Sequence, residues 1–315
     1  MLERKSNFRA WLYLLPSVIL LGLYTFYPLV NAFYMAFLDN FNFMSRSADG
    51  YTLFGNFAKV IKQDSFWQAM KNTGVIVFVS VPVSVTLALL VSVALNSIKK
   101  LQSTFQTIFF LPYVTNAIAI GLAFAFLFDV DFGLINMILG WFGIDKVYWI
   151  QSVRATATTA GGQATWWTAM FALLVYTVWG GLAFKIMVFL SGLQSIDKQY
   201  YDAAKIDATP KSRVFRRITV PLLSPMIAYI TITSFIGAFK AYRTVVGMFG
   251  PTLVPSGGRA TTDKMVTIVA LVYDSLYNGS TGSMSMAAAT SIILFIITLT
   301  FTFIQMWVSK KRVHF

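Results

Sequence analysis

Tyr201-Asp202-Ala203-Ala204-Lys205-Ile206-Asp207-Ala208-Thr209-Pro210, running on through Phe215 to Ile218-Thr219-Val220-Pro221, is a charged island in an otherwise apolar chain. Largely apolar runs flank it near 166–190 and 222–247. The pattern predicts a short helix presenting small side chains, then a turn, then a second short helix. Ser195 is placed to cap the first helix, with Asp197 favourable in its opening turn. Asp202 can pair with Lys205 three residues on, and Pro210 ends the helix. Small residues allow close approach, so the whole loop, about 191–221, reads as a surface on which another protein docks.

Outward from that island, the 315 residues are 57% hydrophobic and 12% charged, with a mean hydropathy of +0.67. That is too apolar for an ordinary soluble domain. A hydrocarbon core of about 30 Å takes roughly 20 helical residues to cross. Uncharged runs long enough lie between Arg9 and Asp39, Lys71 and Lys99, Lys100 and Asp129, Arg154 and Lys185, Arg217 and Lys240, and Asp274 and Lys310. They predict helices near 11–37, 73–97, 105–128, 166–190, 222–247 and 285–308. Continuous apolar runs exclude a β-barrel, whose strands are short and alternate. The fold class expected is an all-α polytopic membrane protein of about six transmembrane helices, one domain over 1–315 with a core at about 72–308 and a retained first helix.

The distribution of Lys and Arg sets orientation, because positive residues gather in short cytoplasmic segments. With both termini cytoplasmic, the inner segments hold Arg4, Lys5, Arg9, Lys99, Lys100, Lys198, Lys205, Lys211, Arg213, Arg216, Arg217, Lys310, Lys311 and Arg312. Only Glu3, Asp197, Asp202 and Asp207 oppose them. The outer segments balance Arg46, Lys59, Lys62, Lys71, Lys146, Arg154, Arg259 and Lys264 with as many aspartates. The net charge of +13 therefore reads as topology, not as a nucleic-acid surface. The outer segments near 38–72 and 129–165 carry aromatics such as Tyr51, Trp67, Trp141 and Trp149 and suit short interfacial helices. Lys264 to Tyr273 is too short to span and reads as an interfacial or re-entrant segment.

Several chemistries are excluded. With no cysteine there is no disulfide, thiolate metal site or cysteine nucleophile. The Gly-Lys-Ser/Thr ending of a phosphate-binding loop is missing, so the chain does not itself hydrolyse ATP. The single histidine, His314, stands in a basic tail and builds no metal site. An ion-coupled carrier places carboxylates inside its helices. The predicted helices hold no Asp or Glu, which leaves energy to come from a partner.

The island resembles the EAA loop of ABC-importer membrane subunits, where Glu-Ala-Ala is followed by Asp-Gly-Ala and, eight residues on, by Ile-x-Leu-Pro. Asp202, Ala203, Ala204, Asp207, Ile218 and Pro221 fall at those intervals, while Asp202 replaces Glu, Ala208-Thr209 replaces Gly-Ala and Val220 replaces Leu. Losing that glycine questions a left-handed backbone at 208, which alanine tolerates poorly. Leu14-Leu15-Pro16, Tyr27-Pro28, Phe109-Phe110-Leu111-Pro112-Tyr113 and Asp131-Phe132-Gly133-Leu134-Ile135-Asn136 are similar to the maltose-type carbohydrate importers. The resemblance implies a type I importer permease in a bacterial plasma (inner) membrane, paired with a homologous membrane subunit. Two cytoplasmic ATPases carrying ATP and Mg, and an extracytoplasmic solute-binding protein, complete the implied complex. Asp202, Ala203, Ala204, Asp207, Ala208 and Phe215 would then couple to the ATPase. The rivals are an ion-coupled secondary carrier, a membrane-embedded transferase and an ABC importer of a non-carbohydrate solute.

The resemblance also places the sugar path on Thr177, Gly181, Phe184, Ser234, Ala238 and Ala241, with Tyr242 and Trp179 as aromatic supplements that equally suit lipid-facing or packing roles. Three basic residues fall inside the apolar runs or at their ends. Lys185 is near enough the inner end of its helix to snorkel to the cytoplasm, the favoured reading, with facing a cavity or a partner as the other. Lys240 and Arg243 are one turn apart on the fifth predicted helix and share a face. Reaching outward and lining the path are both open to them. The second option makes an acidic, uronate oligosaccharide the specific alternative to a neutral sugar.

Overall fold

A computed structural model describes residues 7–41, 47–98, 102–150, 164–250, 265–277 and 284–310. Of the charges used above, Glu3, Arg4, Lys5, Arg46, Lys99, Lys100, Arg154, Arg259, Lys264, Lys311 and Arg312 lie outside the described residues, as does His314. Four helices are long and apolar enough to cross a membrane: Ala10–Ala36, Asp64–Ser97, Trp166–Ser195 and Met284–Lys310. Two bent pairs, Ser103–Val114 with Ala117–Leu127 and Lys211–Leu222 with Ser224–Phe239, raise the number to six when each counts as one span. The all-α architecture is the expected one, but two of its helices differ from expectation.

The third helix, expected unbroken over 105–128, turns by 98° after Val114. Pro112 weakens the end of the first half by lacking an N–H. Asn116 then takes an extended backbone and caps the second half, its Oδ1 accepting the Ile118 N–H at 2.8 Å. The fifth helix, expected over 222–247, bends by 68° before Ser224 and stops at Phe239. A separate helix, Arg243–Phe249, follows. Thr267 Oγ1 donates to the Ala241 carbonyl at 2.7 Å, taking the acceptor that a continued helix would need. Lys240 and Arg243 are consequently not on one helix, and the shared face expected of them does not exist.

Proline shapes the helices in a recurring way. Pro28, Pro82 and Pro221 are each preceded by a five-residue π-helical segment, respectively Gly22–Phe26, Ile76–Ser80 and Phe215–Thr219. A proline ring collides with the carbonyl four residues back. Widening the preceding turn by one residue moves that carbonyl aside and lets the helix continue.

The chain divides into two compact units. In Met1–Gln63 with Val272–Ile293, the first span leads into a two-stranded ladder pairing Leu38 with Tyr51 and Asp39 with Gly50. Buried Asn56, on the helix Gly55–Ile61, locks the strand entry by donating to the carbonyls of Ala36 at 2.9 Å and Leu38 at 2.8 Å. The Phe41 N–H donates to Ser285 Oγ at 3.0 Å within the same unit. The first span itself buries almost nothing in the isolated chain.

In Asp64–Leu271 with Leu294–Phe315, the core lies among the second, fourth and fifth spans. Ala88, Leu95, Ile186, Phe189 and Ile230 form one buried cluster. Val77, Val81, Phe235 and Phe239 form another, roofed by Phe301. Gly121 and Gly247 bring the helices Ala117–Leu127 and Arg243–Phe249 into backbone contact. Within the stretch Lys264 to Tyr273, expected as an interfacial or re-entrant segment, Met265, Val266, Ile268 and Leu271 are fully buried. Its backbone polar groups are met by Asn72, which donates to the Val266 carbonyl at 2.8 Å, and by Thr73, which accepts the Ile268 N–H at 3.1 Å.

Candidate functional site: the charged loop and the face of the fourth span

The loop forms the two expected helices, with its caps redistributed. Ile196 already has an extended ψ of 129°, so the last non-helical residue before Lys198–Ile206 is Asp197. Asp197, not Ser195, accepts the Gln199 N–H, at 2.9 Å. Ser195 instead donates to the Gly192 carbonyl on its own helix at 2.8 Å. Lys205 pairs with Asp202 at 2.7 Å, as its spacing predicts. The hydrogen bond from that ammonium, reinforced by its charge, holds the Asp202 carboxyl below the ordinary carboxylate range.

The turn closes through the Ala208 N–H to the Lys205 carbonyl at 3.0 Å and the Thr209 N–H to the Ala204 carbonyl at 2.9 Å. This is the double closure that puts the residue after the helix in left-handed space. Ala208 occupies it, at φ 50°. The left-handed backbone therefore survives without its glycine. Pro210 opens the second helix rather than ending the first, which the turn has already done.

Asp202, Ala203, Asp207 and Ala208 are exposed, Phe215 is half-buried, and Ala204 faces inward at 6% exposure. Ile206, which sequence reasoning passed over, is 86% exposed between Lys205 and Asp207. An isoleucine flanked by charges at a helix end was the available signal.

On the fourth span, Thr177, Gly181 and Phe184 are spaced by four and three residues and share one stripe. Thr177 spends its hydroxyl proton on the Leu173 carbonyl at 2.8 Å. Phe184 stacks on Tyr113, with centroids 5.6 Å apart and planes at 21°. Trp179 leans on Phe124 at 5.2 Å. The fifth-span positions are divided: Ser234 and Ala238 lie on Ser224–Phe239, with Ala238 packed against a core cluster, whereas Ala241 and Tyr242 form the break. Lys240 and Arg243 are exposed on either side of it.

Lys185 departs from expectation. It does not snorkel toward the inner end of its helix; it is 8% exposed, and its Nζ turns back one turn to donate to the Gly181 carbonyl at 2.9 Å. Helical side chains tilt toward the N-terminus, which is here toward the middle of the span. No metal-binding group of His, Asp or Glu exists among the described residues.

Fold and loop together define a polytopic helical membrane protein that presents one exposed, capped helix–turn–helix. The family described as "Binding-protein-dependent transport system inner membrane component" matches residues 52–314, and the chain belongs to it. The lactose transport system permease protein LacF of Rhizobium radiobacter is 27% identical over 314 residues, covering 99% of this chain and 97% of that one. The arabinooligosaccharides transport system permease protein AraP of Halalkalibacterium halodurans is 27% identical, covering 93% and 85%. A chain from the crystal structure of a bacterial ABC transporter involved in the import of the acidic polysaccharide alginate has the same fold, with a TM-score of 0.75 at 20% identity and 98% coverage of both chains. Family membership makes this chain a permease component, not a catalyst, and removes the secondary-carrier and transferase readings.

Proposed function

We propose that residues 1–315 act as one permease domain which, with a homologous membrane subunit, forms the path for a sugar or oligosaccharide in an ATP-driven importer. An extracytoplasmic binding protein delivers the solute. Two cytoplasmic ATPases, which hold ATP and Mg, drive the cycle. Both termini are cytoplasmic, because that orientation collects the excess Lys and Arg inside.

The observation that carries this reading is the loop. Asp202, Ala203, Asp207, Ala208 and Ile206 stand exposed on a capped helix–turn–helix. A small-residue surface with one protruding apolar side chain fits a groove on another protein. The carbohydrate class rests on the named relatives and on the Tyr113–Phe184 stack, an aromatic platform of the kind sugar rings pack against. An acidic oligosaccharide is the second reading, favoured by exposed Lys240 and Arg243, which make no ion pair among the described residues.

The test is uptake by proteoliposomes holding both membrane subunits and the ATPase, with the binding protein supplied outside. Saccharide accumulation that requires ATP inside and the binding protein outside is the expected result. Uptake driven by an ion gradient alone, or ATP-driven uptake of a non-carbohydrate solute only, would overturn it.

A further inference from the structure

Lys185 carries a charge that the coupling loop does not use. The helix Trp166–Ser195 has 30 residues. At a rise of about 1.5 Å per residue, Gly181 lies roughly 22 Å from its start, close to the middle of the span. Because Lys185 folds back onto the Gly181 carbonyl, its ammonium sits at that depth and not at the membrane surface. Ion pairs among the described residues join Lys59 to Asp39, Lys146 to Asp131 and Lys205 to Asp202; Lys185 has no such partner. Its one hydrogen bond leaves two ammonium protons without acceptors among the described residues.

The surroundings are shaped to hold it. A Cβ at position 181 would stand 2.8 Å from Lys185 Nζ, so the ammonium occupies space that the glycine leaves open. Glycine inside a helix is itself unfavourable. Across the gap lies Ser84 on the second span, whose Oγ would be 4.0 Å from the same Cβ and which donates its own proton to the Val81 carbonyl. An unpaired cation at membrane depth is costly, and the fold keeps this one beside a bare stretch of helix backbone. A packing role would be filled more cheaply by methionine. An ionisable residue at this depth marks a ligand pathway or a missing counter-charge.

The adjoining stripe says which ligand. Gly181 is flanked along the helix by Thr177 and by Phe184, whose ring stacks on Tyr113, and both aromatic residues are exposed. The four-carbon stem of Lys185 lets its ammonium swing past the bare Gly181 backbone toward this platform. A pyranose packed there would bring a ring carboxylate within reach of the ammonium. Resting on the importer reading above, we propose that Lys185 is the specificity residue for an acidic saccharide, binding a uronate carboxylate at mid-membrane. The site is separate from Lys240 and Arg243. A lysine suits transit better than an arginine, because a single point charge releases its anion more readily than a bidentate clamp does.

The test compares galacturonate and glucuronate trimers with their neutral methyl esters, using the complete complex in proteoliposomes with its binding protein. Wild type should import the acids, and Lys185→Met should lose roughly tenfold or more of acid uptake while ester uptake stays within about twofold, the loss expected for one charge-assisted hydrogen bond. Lys185→Arg should keep part of the acid preference. Equal loss for acid and ester, or no loss for either, overturns the proposal. Loss of the second membrane subunit from purified Lys185→Met complexes, restored by Lys185→Arg, would show an inter-subunit ion pair and also overturn it. Wild-type import of neutral saccharides alone overturns this inference and leaves the importer reading standing. ATP-driven import of no saccharide at all overturns both.

Discussion

The indole N–H of Trp166 donates to Oδ1 of Asn72 at 2.8 Å, joining the fourth span to the second across 94 positions of sequence. Asn72 is fully buried, and its amide nitrogen donates in turn to the Val266 carbonyl at 2.8 Å. One side chain therefore satisfies three elements in a low-dielectric interior. Asn72→Leu leaves the indole N–H and the carbonyl unmet and should cost about 2 kcal/mol or more. Thermal unfolding of the detergent-solubilised complex, followed by tryptophan fluorescence, measures it. An unchanged midpoint would show that the network does not hold the spans together.

Ala203 and Ala204 are neighbours with opposite surroundings, so the same substitution should fail differently at each. Ala203 is exposed, and Ala203→Arg should leave the subunit folded while reducing ATPase retention and transport. Ala204 faces inward at 6% exposure, and Ala204→Arg should unseat the loop itself and lower thermal stability as well. Equal unfolding midpoints for the two variants would refute the distinction.

Ile206 at 86% exposure is the most protruding apolar side chain of this loop. Burying an isoleucine in a partner's groove is worth about 2 kcal/mol. Ile206→Ser should accordingly weaken ATPase binding by about an order of magnitude, visible as faster loss of the ATPase during gel filtration. Insertion and folding of the subunit should not change.

Ala208 holds a left-handed backbone at φ 50°. That conformation costs an L-residue about 1–2 kcal/mol and glycine nothing of the kind, though glycine gives back part of the gain as chain entropy. Ala208→Gly should stabilise the loop by a net of about 0.5 kcal/mol or more and slow its proteolysis. Faster cleavage in the variant would mean that the turn is held by other forces.

A Cβ on Gly121 would stand 2.6 Å from the Gly247 backbone, which cannot rotate away. A Cβ on Gly247 would meet Gly121 and Ile118 at 3.1 Å, a milder conflict. Gly121→Ala should destabilise by about 1–3 kcal/mol and Gly247→Ala by less. Reversal of that order in thermal unfolding would contradict the crossing described here.

Much was legible in the sequence because it depends on local composition. Apolar runs between charges located the spans, and the spacing of Asp202, Ala203, Ala204, Asp207 and Pro221 located the loop. The Asp202–Lys205 pair followed from helical spacing alone. The caps were less legible, since whether Ser195 or Asp197 serves depends on one backbone angle at Ile196. The break after Phe239 was invisible, because it is held by Thr267, a residue 26 positions beyond the Ala241 carbonyl it takes. With the helix ended at Phe239 and restarted at Arg243, Lys240 and Arg243 lose the shared face expected of them.

The sequence by itself determined that this chain lives in a membrane and roughly where its apolar spans and its charged loop lie, because hydropathy and charge act over a few turns of chain. Only the tertiary structure decided where its buried charge points. Lys185 had two routes to satisfaction, outward along its stem to the surface or back onto the Gly181 carbonyl. The choice depended on the space left by Gly181 and on the position of Ser84, nearly a hundred residues earlier in the chain. Packing between distant segments fixes such space, and no local pattern encodes it.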